Sequence, residues 1–414
     1  MAKKLGNIKI INDPVHGFIS IPKGKLFKII DNEFLQRLRR VKQLGILELV
    51  YPGALHTRFH HTLGAFHLLN EAFQTLLAKG VEISEEEQMA GQLAILLHDA
   101  GHTPFSHSLE FVLVPNVAHE QISLAVLKHL QQKGIIDKNL GNIAEAIFLG
   151  TYHKPFLHEL ISGQLDVDRL DYLSRDSFYT GVTEGVVGLD RIIQMLNVAN
   201  GHLCVEEKGI YSIEKFLIAR RLMYWQVYFH KTALSAELLL QKIIRRARYI
   251  CRQKNSLFGT PALKYFLENQ FLEIDFFQNP KVLNTFAELD DHDVMAAIKV
   301  WSKCDDFILS TLCRFLLNRK LYKSITVTKA EIPALLKSKR LALMEKMPHL
   351  QADELAYFLN VKTISNQTYR MDEEAVSFID KKGNTQPLHF GSDGYPMGYL
   401  NEKTEKHYLF YFKF

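Results

Sequence analysis

The stretch LAILLHDAGHTPFSH, residues 93–107, carries the strongest structural signal in the chain. Apolar residues at helical spacing lead into it and predict an amphipathic helix, and Ser84 with Glu87 is a candidate capping box for its start. Because Gly101 and Pro104 cannot continue that helix, it must end near His98 and Asp99. An imidazole and a carboxylate are therefore adjacent at a helix end, where both can turn toward one divalent cation.

Two other predicted helices can supply further ligands. In the segment from residue 58 to residue 78, Gly64 and Ala65 share a face with His61, so another helix can approach this imidazole closely. Residues 165–177 form a second candidate helix, which carries Asp168. On one face it places Asp168, Tyr172, Arg175 and Asp176, whereas Asp166 and Asp171 are predicted only to cap or solvate it.

The residues on these helices predict a site for one divalent metal ion, with His61, His98, Asp99 and Asp168 as its ligands. This ligand set suits Mn, Fe, Ni, Co, Mg or Zn. Such a site would leave positions for water or a phosphate oxygen. His102 and His119 would stand behind the ligands and transfer protons or hold phosphate oxygens, with Glu120 orienting one of them. The remaining histidines of this region, His56, His60 and His67, are interpreted as structural.

Composition restricts the class of protein. The formal net charge of +5 over 414 residues does not by itself indicate nucleic-acid binding, and the arginine clusters leave that question open. No apolar run approaches about 18 residues and no apolar segment follows the basic amino terminus, so neither a membrane span nor export is expected. Four scattered cysteines fit a reduced, cytoplasmic protein.

The periodicity predicts a mostly α-helical chain. Residues 8–22 read as a short hairpin or loop, and residues 213–251 as one long amphipathic helix that exposes Arg220 and Tyr228. Beyond residue 324 the pattern changes to short β runs, a helix near 352–360 and a hairpin over 376–390. We therefore expect a helical core with an N-terminal hairpin over 1–324 and a small α+β region over 325–414.

Several separated motifs carry a resemblance to a known family. They are RFHHTLG at 58–64, HDAGHTPFSH at 98–107, AHE at 118–120, DVDRLDYLSRD at 166–176 and FLQRLRRVKQLG at 34–45. The chain resembles the HD-domain phosphohydrolases over roughly residues 8–250, and most closely the deoxynucleoside triphosphate triphosphohydrolases in which a SAM domain is joined to the HD domain. No SAM domain is expected in this sequence.

The resemblance implies a helical HD domain and an activity that releases a deoxynucleoside and intact triphosphate, with Mg accompanying the nucleotide. It assigns metal ligation to His61, His98, Asp99 and Asp168 and catalysis to His102 and His119, with His107 nearby. Triphosphate contacts fall on Arg58, Arg169, Arg220 and Tyr228, and sugar contacts on Gln43, Leu44, Tyr172 and Asp176. A guanine-nucleotide activator site between subunits of a dimer or tetramer falls on Asn12, Asp31, Gln36 and Arg39.

The sequence departs from the family pattern at two positions, and two other functions remain as alternatives. Phe18 replaces a family histidine at the activator site, and Arg169 replaces a lysine, so nucleotide-driven assembly is less secure than hydrolysis. One alternative is another HD phosphohydrolase, acting on nucleoside monophosphates or signalling nucleotides. The other is a nucleotide-sensing assembly protein that hydrolyses little.

Overall fold

The computed structural model describes residues 8–253, 255–367, 369, 375–388, 400 and 402–413. Within these ranges the chain forms eighteen α-helices and nine β-strands, which confirms the expected mostly α-helical fold with a small α+β carboxyl-terminal region. The helices are α1 Lys25–Ile30, α2 Glu33–Arg37, α3 Arg58–Ala78, α4 Glu85–Leu97, α5 Glu110–Leu113, α6 His119–Gln132, α7 Lys138–Phe148, α8 Pro155–Glu159, α9 Val167–Thr180, α10 Leu189–Met195, α11 Ile210–Met223, α12 Lys231–Arg252, α13 Pro261–Glu268, α14 Glu273–Gln278, α15 Pro280–Glu288, α16 Asp291–Trp301, α17 Phe307–Leu317 and α18 Ile332–Lys346. The strands are β1 Ile8–Asp13, β2 Gly17–Pro22, β3 Leu196–Ala199, β4 His202–Glu206, β5 Lys323–Val327, β6 Leu359–Asn366, β7 Ser377–Ile379, β8 Thr385–Pro387 and β9 Thr404–Tyr411.

Helix α3 packs against both α4 and α9, and the three helices form the frame of the site. The predicted capping box starts α4, because the Ser84 hydroxyl accepts from the Glu87 amide and the Glu87 carboxylate accepts from the Ser84 amide. Helix α9 begins at Asp166, whose carboxylate accepts from the Arg169 amide, and ends at Gly181 with φ of 73°. These caps fix where the ligand-bearing ends of the helices lie.

A glycine allows α3 and α9 to meet closely, as the small residues of α3 predicted. A methyl group at Gly64 would lie 1.9 Å from Asp171 Oδ1 and 2.2 Å from Arg175 Nη2. The side chains of α9 therefore occupy the space that any larger residue would fill. This close approach brings Asp168 beside His61.

The N-terminal hairpin is present, with β1 and β2 antiparallel and Asp13 paired with Gly17 across the turn. The long helix expected over residues 213–251 is wrong. The segment breaks into α11 and α12 around a π-helical turn at Tyr224–Tyr228, and the His230 ring accepts from the Thr232 amide to start α12. Arg220, in α11, is buried rather than exposed, and Tyr228, the last residue of the π-helical turn, donates to Asp176.

The strands of the carboxyl-terminal region take part in two sheets. Antiparallel β5, β9 and β6 form one, and the other has the order β3-β4-β7-β8, in which β4 and β7 run parallel. The helix expected near 352–360 is wrong, since only a 3-10 turn spans Glu354–Tyr357 before β6, while the helix lies earlier at α18. The predicted hairpin appears as β7 and β8, and its last two residues lie outside the described residues.

The domain boundary at residue 324 stays a prediction. Strand β5 crosses it, and β7 pairs with β4 of the preceding region. Among the described helices, none combines the length and apolarity that a bilayer crossing requires.

Candidate metal and phosphate site

Side chains from three helical regions converge at the carboxyl end of α4. His61 from α3, His98 just after α4 and Asp168 from the first turn of α9 each direct one ligand atom into a space where all three atoms lie within 4.8 Å of one another. His61 Nε2 is 2.8 Å from Asp168 Oδ1, and His98 Nε2 is 3.6 Å from the same oxygen. Asp99 completes the group, with its oxygens 3.6 Å from His61 Nε2 and 3.4 Å from His98 Nε2.

These residues fit a divalent cation. His61 Nε2 and His98 Nε2 are buried. Within the described part of the chain they lie near the carboxylates of Asp99 and Asp168, but neither nitrogen makes a hydrogen bond of good geometry. Buried polar atoms without partners are costly, and a shared cation would satisfy both. The donor set of two imidazoles and two carboxylates is one that borderline and hard divalent metals accept. The structure thus brings together all four predicted ligands.

The charges around the ligands are balanced by neighbouring groups. Burial would raise the pKa of Asp99, but the charges of Arg58, His98 and His102 hold it well below its usual range. Burial would lower the pKa of His61, but Asp168 and Asp171 raise it to about 10. A cation binding at Nε2 would therefore displace a proton.

Asp171 is a buried partner of the centre, and its prediction as a solvating residue is wrong. Its carboxylate accepts from His61 Nδ1 at 2.7 Å, which leaves Nε2 to face the ligand space. Arg175 also binds Asp171 through two guanidinium nitrogens, at 3.0 and 2.9 Å. Because Gly64 leaves no room for solvent on this face, Asp171 lies inside the helix contact.

A cluster of three imidazoles stands beside the ligands. The His102 and His119 rings stack with centroids 3.7 Å apart, and His107 meets both rings edge-on. Glu110 at the start of α5 accepts from His119 Nδ1 at 2.6 Å and from His107 Nδ1 at 2.8 Å. Glu120, expected to orient a histidine, is 3.2 Å from His119 Nδ1, and its side chain is 58% exposed.

Glu110 is a partner that the sequence interpretation missed. Burial raises its pKa, but hydrogen bonds from His107 and His119 outweigh burial and lower it, so the carboxylate is ionised. An ionised acceptor keeps the proton of each ring on Nδ1 and leaves each Nε2 free to exchange a proton. His102 differs, because burial, with the charges of Arg58 and His119, lowers its pKa well below the usual value and keeps it neutral.

A cavity of about 720 Å³ opens above this cluster. Its wall includes most of the predicted substrate residues, namely Gln43, Leu44, Arg58, His107, Arg169, Tyr172, Asp176 and Tyr228, together with His98, Asp99, His102, His119, Glu120 and Asp168. A concave site of this size with convergent polar groups is typical of small-ligand binding. Three of the four predicted metal ligands, the predicted catalytic residues and all but one of the predicted substrate residues therefore line one cavity.

Known proteins resemble this chain in sequence and in overall fold. A crystal structure of a phosphohydrolase from Bacteroides thetaiotaomicron is 45% identical over 98% of this chain and 100% of its own, with a TM-score of 0.91. The uncharacterized protein YwfO of Bacillus subtilis is 32% identical over 78% of this chain and 73% of its own. The chain belongs to the HD-domain phosphohydrolases.

Two further matches place this phosphohydrolase within its family. A family model described as the HD associated region matches residues 187–256. The human deoxynucleoside triphosphate triphosphohydrolase SAMHD1 is 30% identical over 66% of this chain. The match spans about half of SAMHD1, 52% of its length, so the activity of that whole enzyme is not transferred by similarity alone.

The phosphohydrolase positions Asp176 with two hydrogen bonds. Tyr228 Oη donates to Asp176 Oδ2 at 2.7 Å, and His56 Nε2 lies 2.7 Å from Oδ1. Gln43 is held next to His56, because its backbone amide donates to the His56 carbonyl. Its side-chain Oε1 is buried without a hydrogen-bond partner among the described residues. The sequence predicts only a structural role for His56. In the structure this histidine positions Asp176, the predicted sugar-binding carboxylate.

The predicted phosphate-binding arginines divide between two cavities. Arg58 is buried against Asp99 at 2.6 Å and Ser106 Oγ at 2.7 Å, so it also positions a ligand. Arg169 lines the main cavity and a second one of about 730 Å³. Arg220 lines only the second cavity, where its Nε and Nη1 are buried without partners in the described residues.

The predicted activator residues lie away from both cavities. Asn12, Asp31 and Arg39 are exposed, and Gln36 is half-buried. Arg39 Nε donates to Gln36 Oε1 at 2.8 Å, and the Arg39 guanidinium group lies over the Phe59 ring. Their assignment to an activator remains a prediction.

Two contributions to the site were not predicted from the sequence. Strand β6 places Lys362 and Ile364 in the main cavity, so the carboxyl-terminal region forms part of its wall. Arg37, fully buried, donates to the His102 carbonyl at 2.7 Å and to the Leu289 carbonyl at 2.6 Å. It thereby holds the loop that follows the HisAsp pair.

Proposed function

We propose that this phosphohydrolase is metal-dependent and cleaves deoxynucleoside triphosphates to a deoxynucleoside and triphosphate. The observation that supports it most is the cavity of about 720 Å³, whose wall combines His98, Asp99 and Asp168 with three further imidazoles and with residues suited to phosphate and sugar. The fourth proposed ligand, His61, is buried beside Asp168. The named activity of the SAMHD1 relatives supports the choice of substrate.

His61, His98, Asp99 and Asp168 would hold the cation. A divalent ion there supplies Lewis-acid activation of the phosphoryl group and of the attacking water. Arg58 and Asp171 keep the ligands in place from behind, so the ligands need little reorganisation when substrate enters.

In the proposed reaction water attacks the α-phosphorus, the bond to the 5′ oxygen breaks, and that oxygen leaves with a proton. His119 or His107 would deliver that proton from Nε2 as an imidazolium, whose Nδ1–H remains bonded to the Glu110 carboxylate. Neutral His102 can accept a hydrogen bond from a protonated neighbour or donate one to a phosphate oxygen.

The remaining groups suit a nucleotide. Arg58 and Arg169 would neutralise phosphate oxygens in the main cavity, and Arg220 can meet the distal phosphates through the second cavity, which shares Arg169. Asp176 would accept from a 3′-hydroxyl, and the adjacent Tyr172 ring would exclude a ribose 2′-hydroxyl. A nucleotide activator and a homo-oligomer, dimer or tetramer, belong to the same proposal.

A substrate screen tests it. Each deoxynucleoside triphosphate is incubated with the purified chain and Mn²⁺, Co²⁺, Ni²⁺, Fe²⁺, Zn²⁺ or Mg²⁺, with and without a guanine nucleotide, and the released phosphates are separated by anion exchange. Release of triphosphate supports the proposal. Pyrophosphate or orthophosphate would indicate another HD phosphohydrolase, and no turnover under any condition would favour a nucleotide-sensing protein.

His119→Ala is the matched variant for this screen. Since His119 binds Glu110 and stacks on His102 but is not among the four ligands, the variant should keep its metal and lose turnover. Near wild-type release of triphosphate by His119→Ala would exclude it as the acid.

A further inference from the structure

The turn of the N-terminal hairpin reaches the metal centre through buried side chains. His16, in the turn between β1 and β2, has a side chain only 5% exposed, and its Nε2 lies 2.6 Å from Asp171 Oδ1. The other oxygen of the same carboxylate accepts from His61 Nδ1 at 2.7 Å. One carboxylate of α9 thus joins a hairpin imidazole to a predicted metal-ligating imidazole.

Arg175 closes this arrangement on the other side. Its guanidinium donates to Asp171 at 3.0 and 2.9 Å and to Asp13, the last residue of β1, at 2.8 and 3.3 Å. Asp13 in turn accepts from the Val15 and His16 amides, both at 2.9 Å. The turn is therefore fixed to α9 at two points, through His16 and through Asp13.

Both oxygens of the Asp171 carboxylate are fully used as hydrogen-bond acceptors. Its two oxygens accept four hydrogen bonds, one from His16, one from His61 and two from Arg175, and the side chain is fully buried. Loss of one donor would leave a buried, charged oxygen under-satisfied, and the carboxylate would rotate to recover a partner. Rotation of Asp171 would turn the His61 ring, because no solvent lies between them.

We infer that the N-terminal hairpin is a structural arm of the metal centre, and that His16 is a positioning residue that orients His61 through Asp171. The inference rests on the metal centre of the proposed function, although not on its substrate. Partners behind metal-bound histidines typically change metal affinity about 10- to 100-fold when they are removed.

Cobalt binding tests the inference without any substrate. Apoprotein is titrated with Co²⁺ against a competing chelator, and the visible absorption of the bound ion reports its ligand geometry. His16→Phe keeps the ring volume and removes the donor, so we expect affinity to fall about tenfold or more and the spectrum to change. His16→Gln places an amide N–H near the original Nε2 and should remain within about threefold of the wild type.

His67→Phe is the matched control. Its ring lies 5.4 Å from the His16 ring, yet among the described residues His67 donates no hydrogen bond to Asp171. It should bind Co²⁺ like the wild type. Should His16→Phe not fold, His16→Asn replaces it, because the shorter amide cannot reach Asp171 and should show the same loss relative to His16→Gln.

The outcomes separate the two proposals. Equal affinity and identical spectra for the wild type and His16→Phe, or equal losses in the donor-free variant and His16→Gln, would overturn the inference while leaving the centre intact. A wild-type chain that binds no Co²⁺ would overturn both the metal centre and the inference. The protein could also show the expected cobalt-binding pattern and yet fail to cleave deoxynucleoside triphosphates. That result would overturn only the proposed substrate.

Discussion

Replacing Glu110 by glutamine should reduce turnover strongly while leaving the metal centre loaded. Glu110 accepts from His107 Nδ1, from His119 Nδ1 and from the His119 amide, the last at 3.0 Å, and is buried. The amide can accept for one ring, but it has no negative charge and presents N–H groups toward the other. It therefore no longer holds both protons on Nδ1.

The expected size follows from the bonds that are lost. A hydrogen bond to a charged group contributes about 1.5–3 kcal/mol, and each 1.4 kcal/mol of transition-state stabilisation is worth about tenfold in rate. If one such bond acts in the transition state, kcat should fall about 10- to 100-fold. The KM should change little, since Glu110 does not line the cavity.

Initial rates of triphosphate release measure the effect, with metal content determined on the same samples. Glu120→Gln is the comparison, because the sequence predicts that Glu120 orients one of the histidines. Its side chain is 58% exposed and an exposed ion pair contributes about 0–1 kcal/mol, so the rate of this variant should stay within about threefold of the wild type. A larger loss in Glu120→Gln than in Glu110→Gln would refute this account of the histidine pair, as would loss of metal from Glu110→Gln.

Three other variants test different parts of the site. The double variant His98→Ala, Asp99→Ala removes two predicted ligands, so metal content measured by elemental analysis should fall together with activity, and full occupancy would contradict the ligand assignment. Gly64→Ala places a methyl group 1.9 Å from Asp171 Oδ1, and urea unfolding should show a loss of about 1–3 kcal/mol or more, whereas unchanged stability and metal affinity would mean that α9 does not approach α3 this closely. Arg220→Ala should raise the KM for a triphosphate about tenfold or more at unchanged metal content, and an unchanged KM would separate the second cavity from the substrate.

The sequence identified the local structure around the metal centre correctly. The capping box at Ser84 and Glu87 and the end of α4 at Leu97 follow from short-range rules, and the structure confirms both. The small residue at Gly64 correctly predicted a close helix contact. The family resemblance is confirmed by the comparisons, whereas the individual roles of the site residues stay predictions.

Predictions were wrong where local periodicity was compatible with more than one structure. Residues 213–251 keep an amphipathic pattern across the break, so periodicity alone could not reveal the π-helical turn at Tyr224–Tyr228. The helix expected near 352–360 overlaps the start of β6, because the pairing of β6 with β9 depends on residues 38 to 52 positions away. Long-range pairing leaves little trace in a local window.

The sequence by itself determined which side chains are available to bind a cation, because the HisAsp pair, the glycine-bearing helix and the AspArgLeuAsp segment are local motifs with local chemistry. Only the tertiary structure decided which buried groups form hydrogen bonds with those side chains and position them. Asp171 joins His16 to His61, and Glu110 joins His107 to His119, across separations in the chain that range from 3 to 155 residues. The energy of a buried carboxylate depends on which donors the packing brings to it, and that choice is made by helix contacts rather than by neighbouring residues.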